Sequence, residues 1–382
     1  MRSVPGRRPD PAVGSLPAPE PVAECLLIQV AAKEPFEVLR LADRPGSGVV
    51  FTGAGAIEAI QATRRHGWKR PLLADRRRYT GPARVRGTVG FAPSWLAGQR
   101  DAGVSPVLTD SGYVADGDVT ALLAILGQAA EAGPDVTAVL PLHERWLHEG
   151  RATLIAEVIA HDVPVALVLE RADDPLATAQ AMAGLTDLLR SASSVALLGA
   201  GIGGLAALAF GAQWAAVGVR ASLRSYRPAD CEPGSPRRRR RWRPAPQEIV
   251  AAPVLSFSPI DAVVSACAAS GANVGWACRC SSCQGRTPEW LASAAALDAD
   301  AHTVDVLLRH AERVRRHTPG PAREQAWRRQ CRQALGRHDE LGLAALGWQP
   351  SGVLMACAAF SSGHAPKAED QIRARGRRRV PA

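Results

Sequence analysis

The residues best suited to chemistry are three cysteines, Cys278, Cys280 and Cys283, which lie in the segment CRCSSC. Thiolates at this spacing can wrap one tetrahedral metal ion from a tight turn and leave one position for an imidazole. His302, at the start of an apolar-periodic helix, is the predicted fourth ligand, and His310 is the alternative. Three soft ligands favour zinc. Because four protein ligands leave no open position, the sequence predicts a structural zinc ion.

A second candidate is Asp110, which follows the apolar run Pro106-Val-Leu-Thr. If this run is a strand, the carboxylate lies at the C-terminal end of the strand, where the active sites of α/β barrels form. A turn-forming or helix-capping aspartate is the alternative interpretation.

A glycine-rich segment, Gly199-Ala-Gly-Ile-Gly-Gly-Leu205, lies between an apolar run and a helical one. It resembles a dinucleotide-binding turn only weakly, because the spacing is GxGxGG and no acidic residue follows at a strand end about 20 residues on. Glycines here can also let the backbone approach a planar ligand or a neighbouring helix.

The elements that must position these residues are strands and helices, which alternate between about residue 70 and residue 225. Predicted strands cover 71–74, 105–109, 136–140, 163–169, 195–198 and 215–219, and predicted helices cover 119–132, 151–161 and 177–191 and begin again at 205. At least five β/α units in one run predict an α/β protein with a (β/α)8 TIM-type barrel and a zinc-binding subdomain near its C-terminal end.

The predicted domain organisation has four parts. Residues 1–65 form an N-terminal segment whose first 22 residues are expected to be disordered, and residues 66–260 form the barrel, with an Arg/Pro-rich loop at 226–246. Residues 261–345 form the zinc subdomain and the last barrel elements, and residues 346–382 form a tail. The uncharged stretch 195–219 is predicted to be a strand, turn and helix rather than a membrane span, because it is rich in glycine.

Composition narrows the partners and the compartment. The formal net charge of +10 favours a polyanionic partner such as nucleic acid, although solvated arginine runs such as 237–241 are an equal alternative. Eight cysteines, three of them clustered, do not resemble a disulfide framework, and no signal peptide precedes them. We therefore expect a reduced, cytoplasmic protein with no membrane contact.

Taken in order, these motifs resemble the tRNA-guanine transglycosylase (queuine tRNA-ribosyltransferase) family, including its relatives that insert deazaguanine bases into DNA. The resemblance rests on Thr-Asp-Ser-Gly-Tyr at 109–113, Gly-Gly-Leu at 203–205, and CxCxxC with a later histidine. It covers about residues 70 to 315. The family fold is a (β/α)8 barrel with a zinc subdomain near its C-terminal end, which agrees with the independent prediction above.

The resemblance implies pentosyl transfer, in which a carboxylate displaces guanine from the ribose and a deazaguanine base replaces it. Asp110 would be the general acid/base. The nucleophile would be Asp261 or absent, because its segment PIDAVV lacks the flanking Pro-Thr-Arg of the family. Residues 142–144 and 169–171 stand where the family has its base-reading Asp and Gln. The implied substrate-binding residues are Ser111, Gly112, Tyr113, Gly203, Gly204 and Leu205.

Three functions follow as expectations. The first is an enzyme that exchanges guanine for a 7-deazaguanine base in tRNA or DNA, alone, as a homodimer or with a paralogue. The second is a non-catalytic, zinc-stabilised barrel that binds nucleic acid or a partner subunit. The third, a nicotinamide-dependent enzyme that uses the turn at Gly199, has the weakest support.

Overall fold

The computed structural model describes residues 20–34, 36–81, 84–171, 173–224, 226, 246–270 and 275–360. Most of the predicted disordered leader and of the predicted Arg/Pro-rich loop lies outside these residues. So does the last part of the predicted tail.

The described residues form eight parallel strands with helices between them, in a nearly closed barrel. The strands are β1 (Cys25–Ala31), β2 (Ser47–Thr52), β3 (Leu72–Asp75), β4 (Val107–Leu108), β5 (Val136–His143), β6 (Val165–Glu170), β7 (Val195–Ala200) and β8 (Trp214–Gly218). They pair in the order β3-β2-β1-β8-β7-β6-β5-β4, so β1 pairs with β8 and the ladder is open between β3 and β4. The predicted (β/α)8 TIM-type barrel is confirmed.

Helices cover the outside of the barrel. They are α1 (Phe36–Arg40), α2 (Ala56–Arg65), α3 (Pro93–Asp101), α4 (Val119–Ala132), α5 (Arg151–His161), α6 (Ala179–Ser191), α7 (Gly203–Ala209) and α8 (Ala221–Arg224). The Asp118 side chain caps α4 by accepting a hydrogen bond from Ala121 N at 3.0 Å, and Thr178 caps α6 at Ala181 N. The bounds of α4 and α5 are those predicted.

The barrel begins earlier in the chain than predicted. Its first two strands, β1 and β2, lie within 1–65, so the barrel starts at Cys25 rather than at residue 66. Both strands are buried on both faces, and their sequences show no alternation of apolar and polar residues. The helix between them, α1, has only five residues, which is too short to display a helical period.

The C-terminal part of the chain forms a subdomain against the barrel. It contains the hairpin β9 (Glu248–Ala251) and β10 (Ser256–Pro259), then α9 (Ile260–Ala269), α10 (Ala296–Arg315), α11 (Pro321–Glu340) and α12 (Gly352–Ala359). The subdomain has a core of its own around Ile249, Val263 and Trp276, so it begins at β9 rather than at residue 261. Helix α12 packs on α6 and α11, so the predicted tail starts with an ordered helix.

The uncharged stretch at 195–219 is divided among β7, α7 and β8, as predicted. Among the described residues, none of the helices combines the length and the apolarity that a membrane span requires.

Candidate functional site

The predicted metal ligands come together in the subdomain. Cys278, Cys280, Cys283 and His302 are buried, and their ligand atoms lie within 4.8 Å of one another. His302 Nδ1 is 3.3 Å from the Sγ atoms of Cys280 and Cys283 and 3.8 Å from that of Cys278. A tetrahedron with metal–sulfur bonds of about 2.3 Å and a metal–nitrogen bond of about 2.0 Å has edges of roughly 3.6 Å. The cluster can therefore hold a tetrahedral metal ion.

The imidazole of His302 is oriented by a backbone contact. Its Nε2 lies 2.9 Å from the carbonyl oxygen of Val250 in β9. Because a carbonyl only accepts, Nε2 carries a hydrogen and donates it, so Nδ1 is the ring nitrogen that faces the three cysteines and is available to a metal. The hairpin that precedes the cysteines thus selects the tautomer that can bind a metal.

The cysteine loop is shaped by its own backbone. Gln284 N donates to Cys280 O at 2.9 Å, and Gly285 N donates to Cys278 O at 2.8 Å. Gln284 and Gly285 have φ angles of +53° and +90°, which turn the chain back sharply, and glycine adopts such a conformation without strain. Cys283 N also donates to Cys280 Sγ at 3.2 Å. Such a contact favours the thiolate that a metal requires.

The four groups of the cluster share protons with one another. Hydrogen bonds from the Cys278 and Cys283 thiols hold the pKa of Cys280 far below its ordinary value, while hydrogen bonds with Cys278 and Cys280 raise the pKa of Cys283. Burial lowers the pKa of His302, but its hydrogen bonds to Cys278 and Cys280 outweigh burial and raise it to about 10. A bound cation would replace these shared protons and neutralise the thiolates.

His310, the alternative ligand, does not join the cluster. It lies two turns further along α10, and its Nδ1 is 2.9 Å from Gln330 Oε1 in α11. The structure therefore brings His302, and not His310, to the three cysteines.

Beside the cysteine loop lies a cleft of about 900 Å³ between α10 and α11. Cys278, Arg279 and Cys280 form one rim, so the cysteine loop is part of the wall of the cleft. We call this feature the basic cleft, because arginines dominate its lining. They are Arg279, Arg309, Arg313, Arg329, Arg332 and Arg337.

Most of the positive charge of the basic cleft is not neutralised. Arg309 pairs with Asp305 at 2.8 Å and Arg337 with Glu340 at 2.6 Å. The other four arginines are exposed and make no ion pair within the described part of the chain. Sequence reasoning missed this site, although Arg309, Arg313 and Arg316 recur at helical spacing and so indicate one basic helix face.

At the barrel mouth, Asp110 lies two residues after the end of β4 at Leu108, near the strand end as predicted, and its side chain is fully buried. Its Oδ2 accepts from Arg76 at 2.8 Å and from Arg78 at 3.0 Å. Its Oδ1 accepts from Ala92 N at the start of α3 at 2.8 Å. Both carboxylate oxygens therefore already accept hydrogen bonds from within the protein.

The residues after Asp110 take part in the same closed arrangement. Ser111 shares a hydrogen bond with Thr109 at 2.7 Å. Gly112 packs directly against the backbone of Arg86. The Tyr113 hydroxyl donates to Glu170, and Glu170 also accepts from Arg84 at 2.5 Å.

An aromatic group completes the closure of the mouth. Tyr226 packs against Tyr79 with a ring separation of 5.2 Å and against Tyr113 with one of 6.1 Å. Tyrosines and arginine–carboxylate pairs thus pack together at this mouth, with Tyr79 and Tyr226 fully buried.

The segment Gly203-Gly204-Leu205 opens α7 and is buried. Gly204 N donates to Gly201 O, and Leu205 N donates to Ile202 O, each at 3.0 Å, so both amides are used inside the turn. A β-carbon on Gly203 would lie 2.7 Å from Leu176, and one on Gly204 would lie 2.7 Å from Val217. Close packing accounts for both glycines, but the neighbours are a loop residue and a residue of β8 rather than the neighbouring helix that the alternative interpretation named.

Asp261 lies in the first turn of α9 with an exposed side chain, in the subdomain rather than at a strand end of the barrel. No hydrogen bond or ion pair among the described residues joins it to Asp110. At the C-terminal end of β8 the chain carries no carboxylate, since Gly218 ends the strand and Val219 and Arg220 follow it. Asp110 is thus buried among its donors, whereas Asp261 is exposed on α9.

Fold and site together define a class: a (β/α)8-barrel protein with a buried Cys3His cluster that can hold a metal ion in a C-terminal subdomain. In comparisons with known proteins, no protein-family model matches the chain and no curated protein matches it.

Proposed function

We propose that this protein is a cytoplasmic, zinc-stabilised barrel that binds nucleic acid through the basic cleft. The observation that carries the proposal is the set of four exposed arginines without ion-pair partners in the described residues, which face a cleft of about 900 Å³. Guanidinium groups bind phosphates strongly, and the release of counterions makes such binding favourable at moderate salt.

Zinc is the metal that the donor set favours, because three thiolates and one imidazole form a closed, soft, tetrahedral site. In this role the ion supplies structure only. The chain's own residues hold the loop of Arg279 against α10, where Arg309 and Arg313 lie.

The test is a binding titration with labelled tRNA and DNA at several salt concentrations, with Arg279→Ala and Arg332→Ala. We expect each variant to weaken binding to all sequences about equally and to reduce the slope of log K against log salt by about 0.7–0.9. Arg65→Ala, which removes an exposed arginine of α2, is the matched control. Binding that is independent of salt, or equal losses for Arg65→Ala, would contradict the proposal.

The second candidate is base exchange at the barrel mouth, favoured by the position of Asp110 at the C-terminal end of a barrel strand, beside Tyr113 and Glu170. On this proposal a 7-deazaguanine base replaces guanine in tRNA or DNA. Asp110 separates from Arg76 and Arg78 and acts as the general acid/base for the purine. A homodimer or a paralogue could complete that site.

Base exchange is measured as release of labelled guanine from tRNA or DNA in the presence of a preQ-type base. Asp110→Asn and Asp261→Asn should each abolish release if they are the acid/base and the nucleophile. Release that is unchanged in Asp110→Asn would remove that residue from the mechanism. No release from either substrate, with intact salt-dependent binding, would leave the binding function alone.

A further inference from the structure

We propose that the basic cleft takes single-stranded nucleic acid, and that His310 and Gln330 together read the edge of an unpaired base. This inference rests on the proposed binding function and deepens it, because it names the class of nucleic acid and the groups that recognise it.

The two side chains form a matched donor and acceptor in the cleft wall. His310 Nδ1 lies 2.9 Å from Gln330 Oε1. Because the amide oxygen only accepts, Nδ1 is the donor, and Nε2 of the neutral ring is left as an acceptor. The Gln330 amide nitrogen keeps two donor hydrogens. Neither His310 Nε2 nor the Gln330 amide nitrogen has a hydrogen-bond partner among the described residues, and both side chains line the cleft.

His310 remains neutral in this position. Burial lowers its pKa to about 4, and the positive charge of Arg313 adds to that effect, while the hydrogen bond to Gln330 opposes it. The ring nitrogen Nε2 is therefore an acceptor at neutral pH. If the ring were protonated, both nitrogens would donate and the acceptor would be lost.

The edge that a nucleobase uses in pairing presents a donor and an acceptor side by side. An adjacent donor and acceptor on the protein complement such an edge only when the base is unpaired, because in a duplex the partner base uses it. The surrounding arginines, Arg313, Arg329 and Arg332, supply phosphate contacts and planar groups on which bases can stack. The cleft volume of about 900 Å³ also lies within the range of small-ligand sites, so it can enclose a nucleotide.

The test compares three probes of equal length and label: a single-stranded DNA 12-mer of mixed sequence, its duplex, and a 12-mer backbone with abasic sites throughout. With metal-loaded protein, we expect the single strand to bind about tenfold more tightly than the abasic strand and the duplex. Gln330→Leu should reduce the ratio between base-containing and abasic strands to about twofold and leave the salt slope unchanged, because the phosphate contacts persist.

Gln325→Leu is the matched control, since this residue is exposed on the same helix but does not line the cleft. Equal affinity for the base-containing and abasic strands would overturn the inference, even if Gln330→Leu failed to fold. So would tighter binding of the duplex, or an unchanged ratio in a folded Gln330→Leu protein. These results would leave the proposed function intact. Binding that is independent of salt, or no binding of any of the three probes, would overturn both the inference and the proposed function.

Discussion

The backbone N–H of Ser281 donates to Asp305 Oδ2 at 2.7 Å, which joins the cysteine loop to the helix that carries His302. The same carboxylate accepts from Arg309 at 2.8 Å and, through Oδ1, from Arg44 at 2.7 Å. Burial opposes its ionisation, but these donors hold the pKa of Asp305 below its ordinary value. One buried anion therefore connects the metal loop, the basic cleft and the start of the barrel.

Replacement of this anion should loosen all three parts. We expect Asp305→Ala to lower the free energy of unfolding by about 2 kcal/mol, because the Ser281 N–H loses its buried partner and Arg44 and Arg309 each lose an ion-pair partner. Urea denaturation measures the change. Arg309→Ala removes the pair from its exposed side and should cost less than about 1 kcal/mol. Equal losses in the two variants would contradict this role of Asp305.

The metal site should be stoichiometric and should depend on His302. We expect one zinc ion per chain in purified protein, and its loss in His302→Ala should lower the melting temperature by about 5 °C or more. His310→Ala, the matched control, should retain the ion because His310 contacts Gln330 and not the thiols. Elemental analysis and a thermal melt test both statements. A protein that folds without metal and ignores a strong chelator would refute them.

Asp110 should matter for stability whether or not it takes part in a reaction. Its side chain is fully buried between Arg76, Arg78 and the N–H of Ala92. Asp110→Ala leaves these donors without an acceptor and should cost about 2–4 kcal/mol in urea denaturation. Asp116→Ala breaks an exposed pair with Arg145 and should cost less than about 1 kcal/mol. A loss for Asp110→Ala no larger than for Asp116→Ala would contradict the buried network.

His310 should make the stability of the protein depend on pH in the acidic range. Burial and Arg313 depress its pKa from 6.5 to about 4 in the folded state. Between these values the unfolded chain binds a proton that the folded chain does not, so stability present above pH 6.5 is lost as the pH falls to about 4. Denaturation of the wild type and of His310→Gln at pH 7.5 and at pH 5 measures this loss of stability. Equal pH dependence in the two proteins would contradict it.

Local patterns in the sequence predicted much of the fold and most of the ligands of the metal-binding cluster. Helices α4 and α5 were predicted with their bounds, because apolar periodicity and the stop signal Gly133-Pro134 are local features. The three cysteines lie within one turn of chain, so their spacing alone indicates a shared ligand. The fourth ligand could not be chosen in this way, since His302 and His310 lie on the same helix and differ only in which element each one faces.

Other features depend on residues that are distant in the chain. The partners of Asp110 are 32 and 34 residues away, and the partner of Asp305 in the barrel is 261 residues away. Neither pairing leaves a periodic signal, because it depends on where the chain returns after several elements. The membership of β1 and β2 in the barrel has the same origin, since it depends on their pairing with each other and with β3 and β8.

The parallel α/β architecture and the cysteine trio could be predicted from local sequence, because periodicity and ligand spacing act over a few residues. The three-dimensional fold was needed to show that His302 completes the cluster, that the barrel mouth is closed around Asp110, and that α10, α11 and the cysteine loop enclose a basic cleft. These outcomes depend on how whole elements pack against one another, and packing is set by the complete path of the chain.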